Sequence, residues 1–294
     1  MRNDLLLLLL LSPLAACGGE RPADRAPGEA PPDSAPAAGR ELAYVTNEGS
    51  GDLTVIDVAS RKVTRVLPGG SDPEAFDISK DGTRLFVSNE DAHVASIVDI
   101  ASGKVLATVP VGREPEGVEL HPDGQTVWIT GETDHDLTVL DTDSGKVVTK
   151  ISVGRRPRDL VFTDDGARAY VTSEVEGTVS VVDARARKVL KTIKLPEGSK
   201  PMGVVLAHDG RRVYVANGRG KTVSAIDAAA DSVVASVEVG VRPWGIALSG
   251  DGRKLYSANG PSGDVTVVNT ETMQVVKKIP AGELPWGVVI GRAP

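Results

Sequence analysis

PEGVELHPDGQTVWITGETDHDLTVLDTDSGKVVTKISVG, residues 115–154, is four short apolar runs cut apart by turn residues. Gly117-Val-Glu-Leu120 stops at His121-Pro-Asp-Gly124. Thr126-Val-Trp-Ile-Thr130 follows, then Leu137-Thr-Val-Leu-Asp141. After a Ser-Gly turn at Gly145 comes Lys146-Val-Val-Thr-Lys-Ile-Ser-Val153. Alternating β-branched residues bounded by Gly, Pro and Asp read as strands a, b, c and d joined by tight turns. Asp-Gly suits such a turn because glycine accepts positive φ without steric cost.

The unit recurs. Asp-Gly pairs stand at Asp81-Gly82, Asp123-Gly124, Asp165-Gly166, Asp209-Gly210 and Asp251-Gly252, in steps of 42, 42, 44 and 42 residues. The strand after each pair starts in the same phase: Phe86-Val-Ser-Asn89, Trp128-Ile-Thr-Gly131, Tyr170-Val-Thr-Ser173, Tyr214-Val-Ala-Asn217 and Tyr256-Ser-Ala-Asn259. Tyr44-Val-Thr-Asn47 is a sixth copy. A period near 42 residues made of short strands predicts an all-β β-propeller with six four-stranded blades over residues 41–294. The a-strand proline supports the count, at Pro73, Pro115, Pro157, Pro201, Pro243 and Pro285. The chain enters on a b strand and leaves on an a strand, Trp286-Gly-Val-Val-Ile290. That last strand is expected to join the first blade as its inner strand, closing the ring without a free inner edge. The Asp ending each c strand should bond the turn after it, and the aromatic residue opening each b strand should pack between blades.

Residues 1–16 read as a lipoprotein signal peptide, with Arg2 ahead of an apolar run from Leu5 to Leu11 and Leu14-Ala15-Ala16 before Cys17. Cys17 is the single cysteine and stands where a bacterial lipobox is lipidated, so no internal disulfide is possible. Residues 17–40 read as the lipidated Cys and a disordered Pro/Ala-rich tether, spanning roughly 25–30 Å as a flexible coil. Gly18 after the cysteine, in place of aspartate, points to the periplasmic face of the outer membrane. The net charge of -7 and the lack of a basic stripe argue against nucleic acid, leaving the lipid anchor as the membrane contact. A monomer is expected.

Function is sought where the copies depart from one another. In propellers the d-to-a and b-to-c loops share one face. The residue after the a-strand proline runs Glu74, Glu116, Arg158, Met202, Trp244 and Trp286; the one before it runs Asp72, Glu114, Arg156, Lys200, Arg242 and Leu284. The b-to-c loops add Glu90, Glu132 and Glu174, with Glu48 in the first copy and Gly218 and Gly260 in the last two. Exposed Trp and Arg are common anchors of recognition surfaces. The loops can equally be solvated, with the tryptophans capping the channel. His93 and His135, 42 residues apart beside Glu90 and Glu132, are candidate metal ligands, since imidazole and carboxylate suit divalent metals. No Gly-x-Ser-x-Gly elbow and no phosphate loop are present.

Tyr44-Val-Thr-Asn47, Phe86-Val-Ser-Asn89 and Tyr214-Val-Ala-Asn217, each followed by Thr-Val-x-x-Asp-like strands, resemble the YVTN β-propeller repeat family. That family usually has seven blades, whereas six copies are present here. Asp72-Pro-Glu-Ala-Phe76, Glu114-Pro-Glu-Gly117, Thr172-Ser-Glu174 and Leu284-Pro-Trp-Gly-Val288 resemble periplasmic propellers associated with pyrroloquinoline-quinone-dependent alcohol catabolism. More distant resemblance runs to cytochrome d1-type haem propellers and lactonase-like propellers. The expectation is a non-catalytic, exported, lipid-anchored propeller without a cofactor, binding a periplasmic protein or a small molecule at the loop face. The alternative is a metal-assisted lactone or ester hydrolase using channel carboxylates such as Glu74 and Glu116.

Overall fold

The computed structural model describes residues 42–288 and residue 290. The expected signal peptide, Cys17 and the tether lie outside the described residues.

The repeat folds as read. The first sheet is β1 (Leu42–Asn47), β2 (Asp52–Asp57) and β3 (Lys62–Pro68). The second is β4 (Pro73–Ile78), β5 (Arg84–Asn89), β6 (Val94–Asp99) and β7 (Val105–Pro110). The third is β8 (Pro115–Leu120), β9 (Thr126–Gly131), β10 (Asp136–Asp141) and β11 (Val147–Ser152). The fourth is β12 (Pro157–Phe162), β13 (Arg168–Ser173), β14 (Thr178–Asp183) and β15 (Lys188–Lys194). The fifth is β16 (Pro201–Leu206), β17 (Arg212–Asn217), β18 (Thr222–Asp227) and β19 (Ser232–Glu238). The sixth is β20 (Pro243–Leu248), β21 (Lys254–Asn259), β22 (Asp264–Asn269) and β23 (Gln274–Pro280). Every described ladder is antiparallel between sequence neighbours. The chain is therefore an all-β, six-bladed propeller.

Turn chemistry explains the regularity. Gly82, Gly124, Gly166, Gly210 and Gly252 all have φ between 67° and 79°, as the Asp-Gly reading requires. The residue ending each c strand (Asp57, Asp99, Asp141, Asp183, Asp227 and Asn269) accepts a backbone N–H from the turn after it, at 2.6–2.9 Å. The core lies between blades. Trp128, Leu137 and Ile151 of the third blade pack on Leu160, Phe162 and Val171 of the fourth, and Tyr170, Val179 and Ile193 of the fourth on Val204 and Val215 of the fifth. Trp128 meets Phe162 edge to face, with ring centroids 5.0 Å apart.

The expected closing strand is not among the described ladders. Among the described residues the first sheet has three strands, and no ladder joins β1 to the C-terminal segment. Residue 289, in the middle of the expected strand, lies outside the described residues. Val45 is 44% exposed, whereas its counterparts Val87, Ile129, Val171, Val215 and Ser257 are fully buried beneath an inner strand. The segment nevertheless begins as the repeat demands. Leu284 has φ 47°, like the residue before each other a-strand proline, and the Trp286 carbonyl accepts the Gly245 N–H at 2.9 Å.

Candidate functional site

Three devices set the geometry of the channel mouth. The residue before each a-strand proline is left-handed: Asp72, Glu114, Arg156, Lys200, Arg242 and Leu284 have φ of 47–59°. None is glycine, although a left-handed residue with a side chain costs roughly 1–2 kcal/mol. In the second to sixth blades its carbonyl accepts the N–H of the b-to-c loop residue in the same blade, as in Glu90 to Asp72 (3.0 Å), Glu174 to Arg156 (2.8 Å) and Gly260 to Arg242 (3.2 Å). A hydroxyl in the b strand then latches the next blade. Thr46 donates to the Glu74 carbonyl, Ser88 to Glu116, Thr130 to Arg158 and Thr172 to Met202, at 2.7–3.4 Å. The corresponding residues of the last two blades are Ala216 and Ala258.

The residue after each proline thus sits between the loop residues of two blades, and the mouth divides into three sectors. The first is ionic. Arg158 Nη1 lies 2.8 Å from Glu116 Oε1 and also pairs with Glu132, while Arg156 Nε lies 2.6 Å from Glu132 Oε2 and 3.4 Å from Glu174. Glu132 is 1% exposed, so this cluster is a buried keystone of the rim. Burial pushes Glu116 up to about 8, with Arg158, shared with Glu132, pulling against it.

The second sector is acidic. Glu48, Asp72 and Glu74 bring carboxylate oxygens within 4.8 Å of one another, close enough to hold a metal ion together. Burial raises Glu74 to about 7, helped by its hydrogen bond to Glu90 and by the charges of Glu48, Glu90 and Asp72. None of these four has an ion pair among the described residues.

The third sector is apolar and aromatic. Trp244 and Trp286 stack with centroids 4.3 Å apart and planes inclined 39°. The Arg242 guanidinium lies 5.4 Å from the Trp244 ring. Trp286 is 53% exposed, and the Trp244 indole N–H is buried without an acceptor. The glycines that replace the loop glutamates make this shelf possible. A Cβ on Gly260 would fall 2.0 Å from the Trp244 ring, and one on Gly218 would fall 3.1 Å from Met202 Cγ.

Among the described residues His93 and His135 form no metal-holding group with Glu90 and Glu132. Each Nδ1 lies against its own loop, 2.8 Å from the Glu90 carbonyl and 2.7 Å from the Glu132 carbonyl respectively. Sequence reading missed three carboxylates on the inner strands. Asp77 Oδ2 accepts the Leu120 N–H at 2.7 Å and Asp159 Oδ2 the Val204 N–H at 2.9 Å, lacing neighbouring inner strands. Burial raises Asp159 to about 6. It raises Glu119 to about 8, with Asp77 and Asp159 adding repulsion. The available signal was an acid where other copies carry Val, Ala or Gly.

Comparison with known proteins agrees on the fold. A family model for YNCE-like β-propellers matches residues 25–169, and one for the cytochrome D1 heme domain matches residues 163–287. No curated protein matches the chain. A chain of hydrazine synthase from Kuenenia stuttgartiensis is similar over 84% of this chain and 85% of its own, at 21% identity and a TM-score of 0.77. A functionally unknown protein from Desulfotomaculum acetoxidans DSM 771 is similar over 84% of each chain, at 19% identity and a TM-score of 0.72. At these identities the likeness is one of fold. The residues do not fit a histidine-held haem: His208 is the one histidine in the matched 163–287, and its Nε2 lies 3.1 Å from the Ser249 carbonyl, in the hairpins of the opposite face.

Proposed function

We propose that this chain is an exported, lipid-anchored, non-catalytic propeller whose channel mouth binds a protein segment or small molecule combining an apolar body with a positive charge. The observation that carries this reading is the asymmetry of the mouth. A stacked tryptophan pair, half open to solvent, is followed in ring order by Glu48, Asp72, Glu74 and Glu90, which have no cationic partner among the described residues. An aromatic surface offers area at low entropic cost, and an unpaired acidic wall favours a cation. The Arg158 cluster holds the frame. The lipobox at Leu14-Ala15-Ala16-Cys17 supports attachment to the cell envelope, at the periplasmic face of the outer membrane, with a periplasmic partner. Resemblance to propellers of pyrroloquinoline-quinone-linked catabolism supports an accessory place in periplasmic oxidation. The test is capture of arylalkylamines and of short Lys/Phe peptides by the purified protein. Trp244→Ala with Trp286→Ala should abolish binding while the melting temperature stays within a few degrees.

One observation favours a second reading. Glu48, Asp72 and Glu74 could share a divalent cation, and Glu74, raised to about 7, is a suitable general base for metal-assisted hydrolysis of a lactone or ester. Turnover that chelator removes and Glu74→Gln destroys would establish it.

A further inference from the structure

The face opposite the mouth is built from the Asp-Gly hairpins and the turns after the c strands. Between the fifth and sixth blades it carries a groove of about 750 Å³, lined by Arg211, Arg212 and Arg253 together with the apolar surfaces of Tyr214, Val234 and Met273. The charge of the chain is unevenly spread. Residues 42–154 hold nine Lys and Arg against nineteen Asp and Glu, whereas residues 155–290 hold nineteen against fifteen. The groove belongs to the second, net basic, half.

Two of the three carboxylates that line it are engaged. Asp209 Oδ1 accepts the Arg211 N–H at 3.0 Å, and Asp251 Oδ1 accepts the Arg253 N–H at 3.0 Å and the Ser249 hydroxyl at 2.6 Å. Both are hairpin caps facing their own backbone. Glu271 lies exposed in the turn that borders the groove. Among the described residues the side chains of Arg211 and Arg253 make no hydrogen bond or ion pair.

Arg212 departs from the repeat. Arginines open the b strands of the second, fourth and fifth blades. Arg84 reaches the Thr142 carbonyl and, at 3.2 Å, Asp143. Arg168 reaches the Ala228 carbonyl and Asp231, both at 3.4 Å. Among the described residues Arg212 makes no such bond to the next blade, where Met273 stands in the place of Asp231. Its Nη1 is shut off from solvent without a hydrogen-bond acceptor; the nearest paired carboxylate is Asp227 Oδ2 at 3.5 Å. The Arg212 side chain as a whole is 40% exposed and remains open to the groove it lines.

We propose that this groove is a second binding site, for a small molecule presenting a carboxylate or phosphate on an apolar body. The guanidiniums of Arg211, Arg212 and Arg253 bind the oxyanion, and Tyr214, Val234 and Met273 cover the body. The site lies on the other face from the mouth and stands whether or not the mouth binds anything.

The experiment titrates the uniformly ¹⁵N-labelled full protein with inorganic phosphate, succinate and phenyl phosphate, following backbone amide resonances. Saturable shifts are expected at residues 210–212, 252–253 and 270–273, from both oxyanion classes. Phenyl phosphate should bind about tenfold more tightly than phosphate, because it buries a ring. Arg211→Gln and Arg253→Gln, both at exposed positions the fold does not need, should each weaken it about tenfold. Trp244→Ala should leave it unchanged. Absence of saturation, equal affinity in the arginine variants, or phenyl phosphate binding no better than phosphate would overturn the proposal.

Discussion

Arg158→Met removes the centre of the rim cluster and leaves its carboxylates behind. Arg158 serves Glu116 at 2.8 Å and also Glu132, which is almost wholly buried. Deleting one partner of a buried ion pair costs about 3–5 kcal/mol, because the remaining charge stays desolvated. Arg156 still holds Glu132 at 2.6 Å, so the lower end of that range applies. For a domain of this size each kcal/mol moves the melting temperature by about 2–4 °C, giving a fall of roughly 6–12 °C near pH 7.5. The orphaned carboxylates then bind protons more readily, so the deficit should shrink near pH 5.5. Adding Glu132→Gln should recover part of the loss, since it removes the buried charge that made the single change costly. Chemical denaturation of the three proteins at both pH values reads all of this. A single variant within about 1 kcal/mol of the parent, or a deficit independent of pH, would refute the assignment of this cluster as the keystone.

Acidification should stabilise the protein. Glu74 is raised to about 7, and Glu116 and Glu119 to about 8, chiefly by burial. The folded state therefore takes up protons that the unfolded state, with ordinary glutamate values, does not. The stability they contribute is lost as pH rises through about 7 to 8. Melting curves from about pH 5 to pH 8.5 should fall with rising pH, and Glu119→Gln should flatten the slope. Gly260→Ala should cost about 1–3 kcal/mol or expel Trp244 from its stack, with a change in tryptophan emission. Gly218→Ala, whose Cβ would stand 3.1 Å from Met202 Cγ and 3.2 Å from the Lys200 carbonyl, should cost less than Gly260→Ala. Arg242→Gly relieves a left-handed residue and should raise stability by up to about 1 kcal/mol in denaturation, while weakening recognition at the shelf.

The fold was legible because every blade repeats the same turn chemistry. Asp-Gly hairpins, terminal Asp residues and alternating β-branched runs each have a local reading, and their phase fixes the blade count. The departures at the mouth were legible for the same reason, as substitutions within a constant frame. Their pairing was not. Arg158 reaches back to the loop of the preceding blade as well as sideways to Glu116, so an acidic sector and a basic one become a single neutralised cluster, with a separate acidic group left over. Asp77, Glu119 and Asp159 went unnoticed because a carboxylate inside a strand reads as solvent-facing until the strand is known to line a channel. The closing strand depended on contact between the two ends of the chain, which no local pattern encodes. The exposed Val45 marks where that contact would be made.

Recognition at the mouth is tested most directly by titrating the purified protein with phenethylamine and with a short Lys/Phe peptide, followed by tryptophan emission. The account predicts saturable quenching, lost in Trp244→Ala with Trp286→Ala and weakened in Glu74→Gln with Glu90→Gln, while both variants unfold cooperatively. Quenching that saturates equally in the folded variants, or that never saturates in the parent, would contradict it.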